Sequence, residues 1–242
     1  MPDPFDLTSL LEHWPWTPDQ IDVRCVTFPD GRDVLQVRIE LGLMQMELHG
    51  RPDGTRPQGW ATHLERIQKT PGTMPEGMTL PDADVEALQA EAAQVARRCA
   101  VLHLLDMHAV LVQDTQDNLS RIDLCTRLAP NHAVTALLAQ MRPDMISLHA
   151  RARASIASAG GDTAAARAAI LSGLHALGDH LPESGFHDQP SVQMLQSLQD
   201  ALTPRLPASQ RVELQTRLQL AIDCENFELA AILRDELRQL PD

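Results

Sequence analysis

The stretch LQTRLQLAIDCENFELAAILRDELRQL, Leu214 to Leu240, decides how the rest of the chain is read. Leu214, Leu218, Ala221 and Ile222 recur at the i, i+4, i+7, i+8 spacing of one helical face. Asn226 fits an N-cap: its side-chain oxygen can accept from the free N–H groups of a second helix opened by Phe227 and Glu228, whose acid complements the helix dipole. With so few residues between them, the two helices run antiparallel. At about 100° per residue, Phe227, Leu229, Ala230, Ala231, Leu233, Leu237 and Leu240 sweep an arc of roughly 200° on the second helix. One neighbouring helix cannot cover an arc that wide. Ala230 and Ala231 permit close approach, and Ile232 sits on the otherwise polar flank. Arg234 falls inside the apolar arc, so its guanidinium calls for an acid, either Glu225 or a first-helix carboxylate. Two short helices alone are marginal, so the spare apolar strip must meet the rest of this chain, a second copy or another protein.

The same residues resemble a UVR motif, named for the excision-repair subunits UvrB and UvrC and found also in McsA-type adaptors and some Clp ATPases. The resemblance rests on Leu214, Leu218, Ala221-Ile222, Glu225-Asn226-Phe227-Glu228, Ala230-Ala231, Leu233-Arg234-Asp235, Leu237 and Leu240. It implies a helical hairpin that docks on protein partners, with Leu214, Leu218, Ile222, Phe227, Ala230, Ile232, Leu233, Arg234 and Leu237 as candidate contact residues. The partners it implies are a Clp-type ATPase, an associated kinase or a repair subunit, and self-association is the alternative. McsA-type adaptors carry paired cysteines for zinc ahead of the motif. Here Cys25, Cys99, Cys125 and Cys224 are far apart and form no CxxC, so no metal and no other cofactor is expected.

Composition narrows the function further. Hydrophobic residues at 43% and charged residues at 22% are those of a folded chain, not of a disordered one. A net charge of -13, with Lys69 the sole lysine and no basic run, disfavours direct binding to nucleic acid or an anionic membrane. Tyrosine is absent and aromatics are 3%, too few for base-stacking platforms. The opening MPDPFDLTSLLEHWPW lacks a basic n-region, and no apolar run approaches the roughly 18 residues of a membrane span, so a reduced cytoplasmic protein is expected.

The expected architecture is mainly α (α+β): a small N-terminal antiparallel β unit with loop and short helix over 1–68, a Pro/Gly-rich linker over 69–81, a tetratricopeptide-like helical body over 82–202, and the hairpin over 207–240. A short helical segment from Asp6 to His13 precedes Trp14-Pro15-Trp16, which anchors the terminus. Val23 to Phe28 and Val34 to Leu41 read as strands around the turn Pro29-Asp30-Gly31-Arg32. Leu35, Val37, Ile39 and Leu41 alternate onto one face; after Gly42 the apolar set shifts to Met44, Met46 and Leu48, which predicts a bulge or bend at the glycine. Val37 to Pro57 resembles a segment of planctomycete-type proteins that also end in a UVR motif, which implies a shared architecture and no particular activity. In the loop Gly50 to Pro57, Arg51 and Arg56 are candidates for holding a carboxylate or phosphate; the alternative is a Pro-Asp-Gly turn whose arginines pair with local acids.

In the body, Asp82 or Asp84 is positioned to cap a helix running to about Asp106, followed by helices over His108 to Leu128, His132 to Ala159 with a break at Pro143, Thr163 to Leu181 and Ser191 to Leu202. Thr203 to Pro207 hinges into the hairpin. An offset of 55 aligns Asp106-Met107-His108 with Gly161-Asp162-Thr163, a weak repeat lacking the tetratricopeptide aromatics. Glycine-rich phosphate loops, GxSxG and HExxH are all absent. Asp114, Asp117 and Asp123 lie on one helix; Asp114 and Asp117, one turn apart, read as a solvated face in preference to a shared cation site, and Cys99 and Cys125 as buried small hydrophobes in preference to reactive thiols. The function these features imply is a non-enzymatic adaptor docking through the hairpin; the alternatives are a small-anion-binding protein using the Arg51 to Arg56 loop, or a homodimeric structural protein.

Overall fold

The computed structural model describes residues 7–70, 79–130, 132–203, 208–223 and 226–238. They divide into two compact units, Met1–Leu195 and Gln196–Asp242. Most of the linker expected over 69–81, the hinge at 204–207, and Cys224, Glu225 and Leu240 lie outside the described residues.

The first unit begins with α1 (Thr8–His13) and an antiparallel sheet of β1 (Val23–Thr27), β2 (Asp33–Ile39) and β3 (Gly42–Glu47) in that order. The β1–β2 turn uses its Pro-Asp-Gly chemistry as read: Gly31 takes a φ of 80°, and the Asp30 carboxylate accepts the Arg32 N–H at 3.0 Å. The expected bulge at Gly42 is instead a chain reversal. Ile39 pairs with Gly42 across a two-residue turn, Glu40-Leu41, and Leu41 is 91% exposed. Reversal changes the parity as a bulge would, and it sets Leu35 opposite Met46 and Val37 opposite Met44 on one face. On the other face Arg24 donates to Gln36 at 2.8 Å, and Gln36 to Gln45 at 2.9 Å. Arg24 also stacks 4.0 Å over Trp14, while Arg38 donates to the Trp14 carbonyl at 2.6 Å and to the Gly42 carbonyl at 2.7 Å, fixing the N-terminal segment to the sheet.

Helices complete the unit: α2 (His63–Lys69), α3 (Asp82–Leu104), α4 (His108–Leu128), α5 (Ala133–Gln140), α6 (Arg142–Ala159), α7 (Thr163–Gly178) and α8 (Pro190–Leu202), the last running across the boundary between the units. Pro143 stands in the first turn of α6, where its missing N–H costs nothing, and the expected break falls just before it, at Met141. No side chain caps α3: Pro81 holds the cap position, Asp82 and Asp84 lie in the first turn, and Asp84 pairs with Arg66 of α2. The offset-55 turns share one closure. Asp106 and Gly161 both adopt positive φ, and Met107 N–H donates to Leu102 O just as Asp162 N–H donates to Ala157 O, each at 2.9 Å. Asp162 then caps α7 through the Ala165 N–H at 2.8 Å.

Two cores meet on α3. Leu88 and Ala92 pack with Leu64, Ile67, Ile122 and Leu138; Val95, Cys99 and Leu102 pack with Leu35, Met46, Leu111 and Met145. Between and beside these apolar positions, α3 carries Glu91, Gln94 and Arg98 on one face. The Glu91 carboxylate, fully buried, accepts from the first backbone N–H of α2 (His63, 2.7 Å) and from Arg121 of α4 (2.8 Å). Gln94 donates to Asp53 at 2.8 Å. Arg98 grips Asp114 of α4 through two 2.7 Å bonds and donates to the carbonyls of Glu47 (2.9 Å) and Gly50 (2.8 Å). Asp114 is therefore buried and paired, not part of a solvated face; Asp123 is exposed and pairs with Arg142 at 2.7 Å. The Asp117 carboxyl is raised by burial, an effect that Arg121 and a 2.8 Å bond from Gln113 only partly offset.

Two substitutions test this packing. Arg98→Ala strands a buried carboxylate and two loop carbonyls, so urea unfolding of the first unit should show a loss of about 3–5 kcal/mol. Gly173 of α7 faces α6 so closely that an added Cβ would stand 2.5 Å from Ala150 Cβ and 2.9 Å from Leu195 Cδ1. Alanine there gains about 1 kcal/mol of helix propensity, but overpacking of about 1–3 kcal/mol outweighs it. Gly173→Ala should therefore lower the melting temperature, the reverse of the same change at an exposed helical site.

Candidate functional site

The second unit contains α9 (Ala208–Asp223) and α10 (Phe227–Arg238). The Asn226 side chain accepts the Leu229 N–H at 3.2 Å and its carbonyl accepts the Ala230 N–H at 3.0 Å, so the predicted N-cap is formed. Its own N–H donates to Ala221 O at 2.8 Å, closing α9 with the bond that ends many helices. One residue thus terminates one helix and starts the next.

The seam between the helices is narrow. Ala221, Ala230 and Leu233 are buried together, with Leu214 and Leu218 packed against them. On α10, Ala230, Leu233 and the half-buried Leu237 follow an i, i+3, i+7 line, and the alanines let the backbones approach. Ala230 and Leu233, read from sequence as contact residues, are inside the hairpin; at 2% exposure Leu233 holds the helices together and has no surface to present. The outward apolar groups are Phe227 (69% exposed) and Ile232 (63%), with Ile222, Leu220 and Leu229 also exposed. Sequence reasoning left Leu220 out of the pattern and placed Leu229 in the arc without saying which side it faces. Arg234 is exposed and paired, as expected of it, but with its own neighbour Asp235 at 3.2 Å; Glu225, one of the acids expected for it, lies outside the described residues. On α10, Phe227 and Leu229 lie on opposite sides of the seam, about 160° apart by helical geometry. The hairpin is closed by its centre and apolar on both flanks.

The second site forecast from sequence lies in the first unit. Arg51 to Gly54 form a turn with a Gly54 N–H to Arg51 O bond of 3.0 Å and Gly54 at a φ of 75°. Arg51 grips Asp53 at 3.1 and 2.6 Å, and Asp53 also accepts from the Thr55 N–H (2.9 Å) and hydroxyl (2.8 Å). Burial alone would raise the Asp53 carboxyl, but the bonds from Arg51, Gln94 and Thr55 outweigh it and hold the carboxyl well below the usual range. Its contribution to loop stability is therefore full above the unfolded carboxylate pKa of about 4 and is lost as pH falls through the lower folded value. Arg51 thus pairs with a local acid, whereas no hydrogen bond or ion pair among the described residues engages the guanidinium of exposed Arg56.

Cys99 and Cys125 are buried, and burial pushes the Cys125 thiol up to about 11 and Cys99 higher still, so both stay protonated. Among the described residues no group of three or more His, Cys, Asp or Glu side chains could hold a metal ion, and no helix is long and apolar enough to cross a membrane.

Residues 209–240 match the family model of the UvrB/uvrC motif, UVR. The chain carries a UVR motif there, spanning α9 and α10 almost end to end. No curated protein and no solved structure matches the chain.

The cap and the seam give distinct expectations. Asn226→Ala should cost the hairpin about 1 kcal/mol, visible as faster amide exchange over 208–238 and unchanged exchange in α3 and α4. Leu233→Asp should abolish protection throughout the hairpin, since it buries a carboxylate in the only seam the two helices share.

Proposed function

We propose that this protein is a non-enzymatic cytoplasmic adaptor whose hairpin docks on an apolar helical surface of another protein, itself a UVR-type hairpin. The observation that carries the reading is the outward display of Phe227, Ile232, Ile222, Leu220 and Leu229 on a hairpin whose own seam uses only Ala221, Ala230, Leu233, Leu214 and Leu218. Exposed aromatic and β-branched side chains on a short helix pair favour helix-in-groove docking, in which Phe227 is the anchor. The UVR motif supports the same class of role, since such motifs mediate protein interactions. The partners proposed on that basis are a Clp-type ATPase, the kinase that works with it, or a repair subunit. The net charge of -13 favours a partner with a basic rim. An exposed free thiol at Cys25 fits a reducing compartment.

Affinity purification of the full chain and of a Phe227→Asp/Ile232→Asp variant, followed by titration of the purified partner, tests the reading. Each buried side chain is worth about 1.5–3 kcal/mol, so the variant should bind at least 100-fold more weakly while α9 and α10 stay folded. Equal affinity of the two proteins for the partner would remove the hairpin from the docking role. Light scattering that shows a dimer in the unmodified chain and a monomer in the variant would make the occupant a second copy.

A further inference from the structure

A cleft of about 590 Å³ opens in the first unit between the β1–β2 turn and the loop that follows β3. Its charged and titratable lining is Arg32, Glu47, His49, Arg51, Asp53 and Arg56, with Gly50, Gly54, Thr55 and Ala61 completing the wall. Three guanidiniums and an imidazole face two carboxylates in a chain whose net charge is -13. The two acids are already engaged: Glu47 pairs with Arg32 at 2.5 Å, and Asp53 with Arg51 at 2.6 Å. Arg51 uses its Nε and one terminal nitrogen on Asp53; the other terminal nitrogen has only Glu91, 3.9 Å away. Arg32 has in addition Asp30, 3.6 Å from its Nε, so the unmatched positive charge in the cleft is that of Arg56.

The walls are held rigid from behind. Arg98 fixes the Glu47 and Gly50 carbonyls, Gln94 fixes Asp53, and Arg51 N–H donates to the Ala61 carbonyl at 3.2 Å. Gly50 and Gly54 both take positive φ, and a Cβ on Gly50 would stand tightly, 3.3 Å, from the Ala61 carbonyl. Gln58, at a φ of 51°, holds a conformation uncommon for a residue with a side chain. The loop is thus a preorganised cradle for whatever Arg56 meets.

We propose that this cleft binds a small molecule bearing a phosphate monoester, with Arg56 and the outward face of Arg32 on the phosphate oxygens and His49 beside them. Arg56, with the remaining terminal nitrogen of Arg32 beside it, sets several N–H donors against the three terminal oxygens of a phosphate monoester, and planar guanidinium groups suit such oxygens. The volume falls within the range of small-molecule sites, about 300–1,000 Å³, and exceeds what inorganic phosphate fills, so the ligand carries an organic body.

The test is thermal unfolding and ¹⁵N-resolved NMR of the full chain with inorganic phosphate raised to about 20 mM at constant ionic strength set by chloride, enough to fill a millimolar site. The expected result is a saturable rise in melting temperature with amide shifts at Gly50, Gly54 and Thr55. Because Arg56 is exposed and unpaired, Arg56→Ala should melt as the unmodified chain does without phosphate and bind at least 10-fold more weakly with it. Arg56→Lys should recover part of the binding. No saturable response, shifts confined to other parts of the chain, or an undiminished response in Arg56→Ala would each overturn the proposal.

Discussion

The first unit depends on one face of one helix. Glu91, Gln94 and Arg98 stand on α3 among apolar positions, and each reaches a different part of the segment before it: the start of α2, the Asp53 turn, and the end of β3. A three-stranded sheet needs a hydrophobic face or a helix packed on it to be stable, and the apolar face of this one is small, Leu35, Met46 and their neighbours. The charged contacts supply what apolar burial does not, namely a single register between sheet and helices. Their charges are not left bare in the interior. Glu91 has Arg121 and the N-terminus of α2, and Arg98 has Asp114 and two carbonyls, which is the condition under which buried ions are tolerated.

The second unit solves a smaller problem in the opposite way. Its seam contains no ion pair among the described residues and is built from alanine and leucine. Two short helices joined by a three-residue connection bury little, so the hairpin leaves its largest side chain, Phe227, in solvent. A chain selected only for the stability of this hairpin would place the phenyl ring in the seam and a polar residue at 227. The actual arrangement spends apolar surface on the outside.

Much of this was legible in the sequence, and the failures share a cause. The 3.6-residue period placed α4 between its observed ends, Asn226 announced the cap, and Pro143 the break before α6, because each signal is local. At Glu40-Leu41 the local signal misled. Leu35, Val37, Ile39 and Leu41 alternate without interruption, so the strand seemed to continue, and only pairing with Gly42 reveals the turn. In the hairpin, a 200° apolar arc does not say which third of it faces the other helix; the answer depends on where Ala221 sits on α9, and it turned Leu233 inward. The ion pairs were beyond reach for a related reason. Arg98 and Asp114 are 16 residues apart, and Arg98 and the Glu47 carbonyl 51, so nothing near either residue names its partner. A partial signal did exist: Glu91 and Arg98 border the arc of Leu88, Ala92, Val95 and Cys99, about 40–60° from its edge, close enough to the apolar face for a charge to need a partner. For the Arg51 to Arg56 loop, sequence offered both outcomes, and the structure divides them, with Arg51 held by Asp53 and Arg56 left open.

The division into two units also makes them optically separate. All three tryptophans, Trp14, Trp16 and Trp60, belong to the first unit, tyrosine is absent, and the only aromatic ring from Gln196 onward is Phe227. Every tryptophan fluorophore therefore lies in the first unit, and the hairpin contributes no tryptophan emission of its own. A single tryptophan placed at 227 would give the silent unit its own colour, on the side chain most exposed to a partner.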